Sequence, residues 1–384
     1  IQGVVSLSSW KFESSHGHII IRFQLDFFVF KMNVLFLHTN PYLCEIDNLI
    51  KDIVSNIKLK DVNVFEICYT DFKFYDITKV LKLRRYIRNN KIDIVHTYNY
   101  IDAYYVMKAC KYMKTKVVYS SYFYHDELKG FNRSMHKYVL SHVDSIIFQT
   151  NVQKDRMISN YKLNPKKHYK LFHAFSSKRL DNAKYNSLRD EFFIDDFRYL
   201  IGTLGDFTPE HNVMNVMEMI RKLRRTGRNF TCLVAGEELD EYEEFYNDCR
   251  YYYIVQGLDN YITYVGRRAD TTNFISQLDV FVYHSDTEAV ALPVIEAMLC
   301  GTNVVVNDNE MIKEITFNGK YASLYKTDDP LDFASKTRDI LNDLDDNAMI
   351  ANVVKEECRE VFSIEKHILG LKEIYSNVLN NKES

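Results

Sequence analysis

The feature that most constrains the fold of this chain is a regular alternation of short apolar runs with stretches of helical periodicity. The apolar runs are rich in β-branched and aromatic residues and are too short for buried helices. Alternation of this kind is typical of parallel, doubly wound sheets with helices on both faces. The first series of predicted strands covers residues 34–37, 62–68, 92–96, 117–120 and 145–149.

The same pattern starts again after a polar, acidic stretch at residues 181–197. The second series of predicted strands covers residues 199–204, 230–236, 262–265, 280–283 and 303–306. A chain of 384 residues has room for two domains at roughly 100–200 residues each. We therefore predict two Rossmann-like α/β domains facing a central cleft, with ligands bound at the carboxyl ends of the strands.

The segment before Met32 differs from the rest of the chain. Its apolar runs are interrupted by Arg22 and Asp26, which argues against a membrane-spanning helix or a signal peptide. Met32 itself is followed at once by a predicted buried strand. We expect residues 1–31 to be an extension outside the folded core.

Several common classes are disfavoured by missing motifs. The chain contains neither G-x-G-x-x-G nor G-x-x-x-x-G-K-[ST], which disfavours ordinary dinucleotide dehydrogenases and P-loop enzymes. Seven scattered cysteines without a C-x-x-C pair suit a reducing compartment rather than a disulfide or zinc framework. Asp343 and Asp345 form a D-x-D pattern, but their charged, helix-like surroundings predict a solvated face and no metal site.

Charge is distributed unevenly between the two halves. Residues 32–180 hold 25 Lys and Arg against 13 Asp and Glu, whereas residues 181–384 hold 21 against 37. Within the basic half, the helix predicted over residues 77–89 is rich in Lys and Arg. It either lies on anionic lipid or packs on its sheet with a basic outer face. The charge of the whole half favours a membrane surface or a phosphate-bearing acceptor; no recognition motif supports nucleic acid.

Residues 280–306 carry the most specific pattern. A strand, VFVY, runs into a polar turn; Pro293 then suits the start of a helix, and Gly301 suits its left-handed end. Glu288 lies before this helix and Glu296 lies within it, with seven residues between them. A helix N-terminus attracts phosphate, and two nearby carboxylates can accept hydrogen bonds from sugar hydroxyls. The alternative is a plain strand–loop–helix unit with two solvated glutamates.

This segment, EAVALPVIEAMLCGTNVV, resembles the E-G-F-G-L-P-x-I-E-A-M-A-x-G-x-P-V-V element of glycosyltransferase family 4, which has the GT-B fold. EMIKEITFNG at residues 310–319 and DIVH at residues 93–96 resemble further motifs of that family. The resemblance implies an acceptor-side domain at 32–190, a nucleotide-sugar donor domain at 191–361, and a helix at 362–384 that crosses back to the first domain.

The resemblance also implies roles for individual residues. Glu288 would contact the donor sugar and Glu296 the ribose hydroxyls, while His211 stands where the family has a phosphate-binding lysine. His125 is the candidate near the reacting sugar, and His96 and His38 are the acceptor-side candidates. The predicted donor-binding residues are Gly205, Asp206, Gly266, Arg267, Val290, Ala291, Leu292 and Glu296.

Several family positions are altered here. Asp206 occupies a position where Arg or Asn is usual, and E-G-F-G has become Glu288-Ala289-Val290-Ala291. Loss of cations weakens stabilisation of the diphosphate leaving group. Arg267 and the adjacent Arg268 could compensate.

The expected function is transfer of a hexosyl group from a nucleoside-diphosphate sugar to a glycan or lipid-linked glycan, with retention of configuration and without a metal cofactor. The expected setting is polysaccharide biosynthesis in the cytoplasm or on the inner face of the cell membrane. One alternative is a degenerate GT-B protein that binds glycan or partners an active transferase. Another is an epimerase or phosphorylase of the same fold.

Overall fold

A computed structural model describes residues 14–15, 18–19, 32–38, 44–56, 62–68, 77–122, 128–181, 186–286 and 291–380. Two short strands, β1 (Ser14–Ser15) and β2 (His18–Ile19), pair antiparallel ahead of the main fold. The rest of the described chain forms two parallel six-stranded sheets flanked by helices. The expected α/β class and two-sheet architecture are therefore confirmed.

The first sheet has the strand order β4-β3-β5-β6-β7-β8, and every neighbouring pair is parallel. Its strands are β3 (Met32–His38), β4 (Val62–Cys68), β5 (Ile94–Thr97), β6 (Lys116–Ser121), β7 (Ser145–Phe148) and β8 (His168–Lys170). The helices between them are α1 (Cys44–Asn56), α2 (Ile77–Asn89), α3 (Tyr100–Cys110), α4 (Gly130–His142) and α5 (Asn151–Tyr161).

The second sheet has the order β11-β10-β9-β12-β13-β14, again with every neighbouring pair parallel. Its strands are β9 (Tyr199–Leu204), β10 (Phe230–Ala235), β11 (Ile262–Gly266), β12 (Val280–Tyr283), β13 (Asn303–Asn307) and β14 (Ser323–Tyr325). The helices are α6 (Ser177–Asp181), α7 (Leu188–Glu191), α8 (Val213–Leu223), α9 (Glu243–Val255), α10 (Thr271–Ser276), α11 (Leu292–Cys300), α12 (Glu310–Ile315), α13 (Pro330–Asn342), α14 (Leu344–Val361) and α15 (Ile364–Asn380).

The predicted strands are reproduced to within a few residues, but β8 and β14 were missed. Each has only three residues, HYK and SLY, and neither carries the apolar run that marks the central strands. Both lie at the edge of their sheet, where a short strand needs a partner on only one side.

The last helix, α15, packs on the first sheet although it follows the second sheet in sequence. Its buried side chains share a core with β3, β5 and α1; they are Ile364, Ile368, Leu371, Ile374, Tyr375 and Val378. Gly370 permits the close approach, since a Cβ there would lie 2.7 Å from Cδ1 of Leu171. At the crossing point, the N–H of Phe175 donates to the carbonyl of Phe362 at 3.0 Å.

Candidate functional site

The strand–helix unit predicted to bind the donor forms as expected. Pro293 lies in the first turn of α11, and Gly301 ends the helix with φ 78°, a left-handed conformation that costs glycine little. Ala291 is buried directly before the helix. Glu288 and Val290 lie outside the described residues, so their predicted roles stay predictions.

Glu296 is almost completely buried, with 2% of its surface exposed. Its Oε1 atom accepts hydrogen bonds from the Thr271 hydroxyl at 3.0 Å and the Thr272 hydroxyl at 2.5 Å. Both threonines begin α10, which packs against α11. A carboxylate buried in this way needs such donors, and they fix its orientation. No sequence motif predicts this pair of threonines; they are two hydroxyl residues shortly after Gly266.

The loop after β9 is held tightly against the loop after β10. A Cβ on Gly236 would lie 2.0 Å from the carbonyl oxygen of Gly205, so glycine is required where these backbones meet. Asp206 accepts a hydrogen bond from the backbone N–H of Glu237 at 2.9 Å. The carboxylate of Asp206 thus helps to join the two loops.

His211 lies in the same loop and is partly buried. Its Nδ1 atom is 3.2 Å from the hydroxyl of Tyr283, and its ring contacts the place where a Cβ on Gly205 would be, at 3.0 Å. Burial lowers the pKa of His211, and the neighbouring Asp206 carboxylate opposes that shift without reversing it. The imidazole is therefore neutral near pH 7 in the unliganded protein.

The two arginines after Gly266 have different surroundings. Gly266 ends β11 with φ 68°, and nothing lies within 4 Å of a Cβ built there, so conformation rather than space favours glycine. Arg267 is half exposed and lies 3.4 Å from Glu237. Arg268 is largely buried between Glu191 and Asp270, at 2.5 and 2.7 Å. Arg268 is thus held by two carboxylates, whereas Arg267 is more exposed and has one longer contact with a carboxylate.

The first-domain histidines occupy several environments. His38 ends β3, with Nε2 3.2 Å from Glu66 Oε1. His96 is fully buried: its Nδ1 lies 2.6 Å from the Tyr375 hydroxyl and its Nε2 lies 2.8 Å from the Ser120 hydroxyl. Both nitrogens of His96 thus face protein hydroxyls, one of them on α15. The acceptor-side roles stay predictions, and His125 lies outside the described residues.

The sequence left open whether the basic helix α2 packs on its sheet or presents a surface suited to anionic lipid, and its structure has features of both. Leu83 and Ile87 are buried against the sheet, while Ile77 and Leu81 are 70% and 58% exposed. The outward side also carries the exposed side chains of Lys82, Arg85 and Arg88. The helix therefore packs on the sheet and also presents apolar and basic groups to its surroundings. None of the helices in the described ranges is long and apolar enough to span a membrane.

Comparisons with known proteins agree with this architecture. Residues 54–169 match the model described as Glycosyltransferase Family 4, and residues 185–356 match Glycosyl transferases group 1. A glycosyltransferase from Rickettsia africae ESF-5 superposes with a TM-score of 0.76 at 17% identity, covering 92% of this chain and 100% of that one. Anabaena HepE, solved with UDP and glucose, gives 0.75 at 15% identity, covering 90% and 99%.

Of two curated relatives, one aligns over most of its length and the other over about half. The N-acetyl-alpha-D-glucosaminyl L-malate synthase of Bacillus anthracis is 20% identical over 339 residues, 86% of this chain and 87% of the relative. The lipopolysaccharide core mannosyltransferase LpcC of Rhizobium leguminosarum is 23% identical over 190 residues, 49% of this chain and 53% of the relative. The fold and both matched ranges define a two-domain GT-B glycosyltransferase. The chain belongs to the family 4 type of these enzymes.

Proposed function

We propose that this protein transfers a hexosyl group from a nucleoside-diphosphate sugar to a hydroxyl of a glycan or lipid-linked glycan, with retention of configuration. The observation that carries the proposal is the buried Glu296 on α11, oriented by the hydroxyls of Thr271 and Thr272. UDP-bound and UDP-glucose-bound structures of the similar HepE support a nucleotide-sugar donor.

In the proposed reaction the bond from the anomeric carbon to the diphosphate oxygen breaks, and the acceptor hydroxyl bonds to the same face of the sugar. Glu296 would bind the ribose, and Glu288 the sugar. The acceptor hydroxyl would lose its proton during the transfer, and the departing diphosphate oxygen would take it up. His96, His38 and His125 remain the acceptor-side or sugar-side candidates for positioning this reaction.

Leaving-group stabilisation would come from protein groups, without a metal as cofactor. The diphosphate would lie at the N-terminus of α11, whose backbone N–H groups favour anions. His211 would gain a proton when a phosphate approaches, since a nearby anion raises the pKa that burial has lowered. Arg267, half exposed, can supply a second cation.

Calorimetric titration of the full chain with a panel of nucleoside-diphosphate hexoses tests donor binding. We expect one donor to bind, and Glu296→Gln to weaken it about tenfold or more through loss of a charged hydrogen-bond acceptor. Glu310→Gln is the matched control, because the Glu310 side chain is exposed at the start of α12 and pairs with Lys313 on the same helix. Absence of binding to every donor would contradict the proposal.

The role of His211 has its own test. Donor binding in buffers of different ionisation enthalpy is expected to show proton uptake near pH 7, and His211→Gln is expected to abolish it. His211→Lys restores a permanent cation and is expected to raise turnover. Donor binding without proton uptake would contradict the role assigned to this imidazole.

A second candidate function is binding without catalysis. It is favoured by the commitment of Arg268 to Glu191 and Asp270, which removes one of the two arginines after Gly266 from a leaving diphosphate. Donor binding with no release of nucleoside diphosphate, in the wild type and in His211→Lys alike, would favour this candidate over the transferase.

We further propose that the first domain binds the anionic inner face of the cell membrane through α2. Exposed Ile77 and Leu81 beside Lys82, Arg85 and Arg88 support this orientation. Sedimentation with vesicles containing anionic lipid should show binding that falls at high salt. Leu81→Ser with Arg85→Ser should reduce it, whereas the distant pair Leu331→Ser with Arg338→Ser should not. Equal binding by both variants would contradict the proposed surface.

A further inference from the structure

Three side chains with metal-ligating atoms converge at the carboxyl edge of the second sheet. His284 follows β12, Asp286 lies two residues later, and Asp328 follows β14. One ligand atom from each lies within 4.8 Å of the others. Because β12, β13 and β14 are parallel neighbours, the segments that leave their carboxyl ends meet at one edge. We call these three residues the His284 cluster.

The imidazole of His284 is oriented by its surroundings. Its side chain is fully buried, and Nδ1 lies 2.6 Å from the hydroxyl of Tyr325. The second nitrogen, Nε2, lies 2.7 Å from Oδ1 of Asp286. In metal sites, one ring nitrogen commonly binds the ion while the other is held by a hydrogen-bonding partner. Here Tyr325 holds the inner nitrogen, while Nε2 faces Asp286 and also lies 3.2 Å from the side-chain nitrogen of Asn215, a contact that a bound ion would displace.

The two carboxylates are also positioned by the chain. The second oxygen of Asp286 accepts a hydrogen bond from the Asn212 side chain at 2.8 Å, which directs Oδ1 toward His284. Asp328 has φ 62°, a left-handed conformation that Asp tolerates better than most residues. The preceding Thr327 is anchored, since its N–H and its hydroxyl both donate to Asp308 at 2.9 Å.

Negative charge is concentrated around a buried phenol at this point. The carboxylates of Asp286, Asp328 and Asp308 all act electrostatically on the hydroxyl of Tyr325. Carboxylates that lie close together repel one another, and a cation bound among them relieves that repulsion. Asp286 and Asp328 are exposed, so an ion can enter from solvent.

We propose that His284, Asp286 and Asp328 bind one divalent transition-metal ion of the Mn²⁺ or Zn²⁺ class. An imidazole with two carboxylates suits these ions, whereas Mg²⁺ prefers oxygen ligands and retains its water. The ion would join the segments after β12 and β14. It would also brace the loop of His211, because the N–H of Asp286 donates to the carbonyl of Glu210 at 2.9 Å. This structural role is separate from glycosyl transfer.

The test is titration of the full, EDTA-treated and desalted protein with MnCl₂ in the absence of donor. Calorimetry and Mn²⁺ electron paramagnetic resonance are expected to show one ion per chain. Asp328→Asn keeps the shape of an exposed side chain and is expected to weaken binding at least tenfold. Tyr325→Phe keeps the ring stacked on Phe333 at 3.8 Å and is expected to weaken binding about tenfold.

Asp345→Asn is the matched control, since Asp345 lies in the acidic first turn of α14, outside the cluster. We expect it to bind Mn²⁺ as the wild type does, and a tenfold excess of Mg²⁺ to compete poorly. Lack of saturable binding would overturn the proposal and leave His284 and Asp286 as an ion pair. Binding unchanged by Asp328→Asn and Tyr325→Phe would overturn it as well. Since no donor is present, either failure is distinguishable from failure of the proposed transferase activity.

Discussion

The two sheets have the same number of parallel strands but differ at the edge where ligands bind in such folds. In the first sheet, that edge carries buried histidines paired with tyrosine hydroxyls, such as His96 with Tyr375 and His173 with Tyr122. In the second, the edge carries one such buried pair, His284 with Tyr325, and also partly exposed charged groups that link one loop to the next, such as Asp206 and Arg267. Similar topology thus supports a closed core in one domain and an open polar edge in the other.

The difference arises from a helix that packs on the first sheet and, in the part of the chain that the structure describes, has no counterpart on the second. α15 returns from the second domain and supplies Tyr375 and five apolar side chains to the first sheet. The second sheet receives no such helix among the described residues, and its loops are held by side-chain-to-backbone hydrogen bonds instead. The edge of the first sheet is consequently ordered by packing, whereas the loops at the edge of the second sheet, above two apolar cores of its own, are joined by polar contacts.

The largest expected effect is a loss of stability when the packing of α15 on the first sheet is disturbed. Leu371 is 2% exposed on α15, whereas Leu369 on the same helix is 60% exposed. Leu371→Ala is expected to lower the free energy of unfolding by about 2–5 kcal/mol, since it opens a cavity against the first sheet. Leu369→Ala is expected to change it by less than about 0.5 kcal/mol. Urea unfolding measures both, and equal effects would contradict the packing of α15.

The next largest expected effect is a loss of first-domain stability at acid pH. Burial lowers the pKa of His96 to about 3, with His367 adding to the shift, and burial lowers the pKa of His367 to about 4. The unfolded chain therefore binds more protons below pH 6.5, and stability falls as pH drops from 6.5 toward 3. At pH 5.5 each histidine costs about 1.4 kcal/mol.

Unfolding free energies measured at pH 7.5, 6.5 and 5.5 test whether stability falls as pH drops. His367→Gln is expected to make the decline shallower by about 1 kcal/mol at pH 5.5, because one titrating group is removed. His142→Gln is the control, since His142 is exposed at the end of α4. A decline that is the same in wild type and His367→Gln would refute this origin of the acid sensitivity.

A comparable effect is expected in the second domain, but on binding rather than on folding. Thr272→Val removes one of two hydroxyls that orient Glu296, and a hydrogen bond to a charged group contributes about 1.5–3 kcal/mol. Donor affinity is expected to fall roughly tenfold or more in calorimetry. Thr226→Val, on an exposed turn after α8, is expected to leave it unchanged. Unchanged affinity in Thr272→Val would show that Glu296 needs no such support.

The smallest expected effect is on the spacing of the two domains. It concerns a second contact between them, which does not involve α15. Glu314 on α12 accepts hydrogen bonds from the backbone N–H groups of Asn151 and Val152, at the start of α5, at 2.7 and 2.9 Å. A carboxylate at a helix N-terminus contributes about 0.3–1 kcal/mol. Glu314→Gln is expected to broaden the distance distribution between fluorescent labels on the two domains, whereas Glu310→Gln is not. Identical distributions would contradict a joining role.

The sequence predicted what depends on local pattern. Apolar runs placed the central strands, and Pro293 with Gly301 placed α11, because each residue acts on its own stretch of backbone. The sequence pattern did not predict the hydrogen-bond partners of Glu296 or His96. These partners lie 24 to 279 residues away, and only packing decides which hydroxyl reaches which side chain. The edge strands β8 and β14 were missed for the same reason: their pairing is set by a neighbour.

The contribution of α15 to the first sheet has a consequence for synthesis of the chain. The strands of the first sheet are complete at Lys170, yet the helix that covers one of its faces begins at Ile364. At about 5–20 residues per second, a ribosome needs on the order of 10–40 s to make the intervening chain. During that time the apolar face over β3 and β5 is open to water, to chaperones and to other nascent chains. The first domain to be made is therefore the last to be finished.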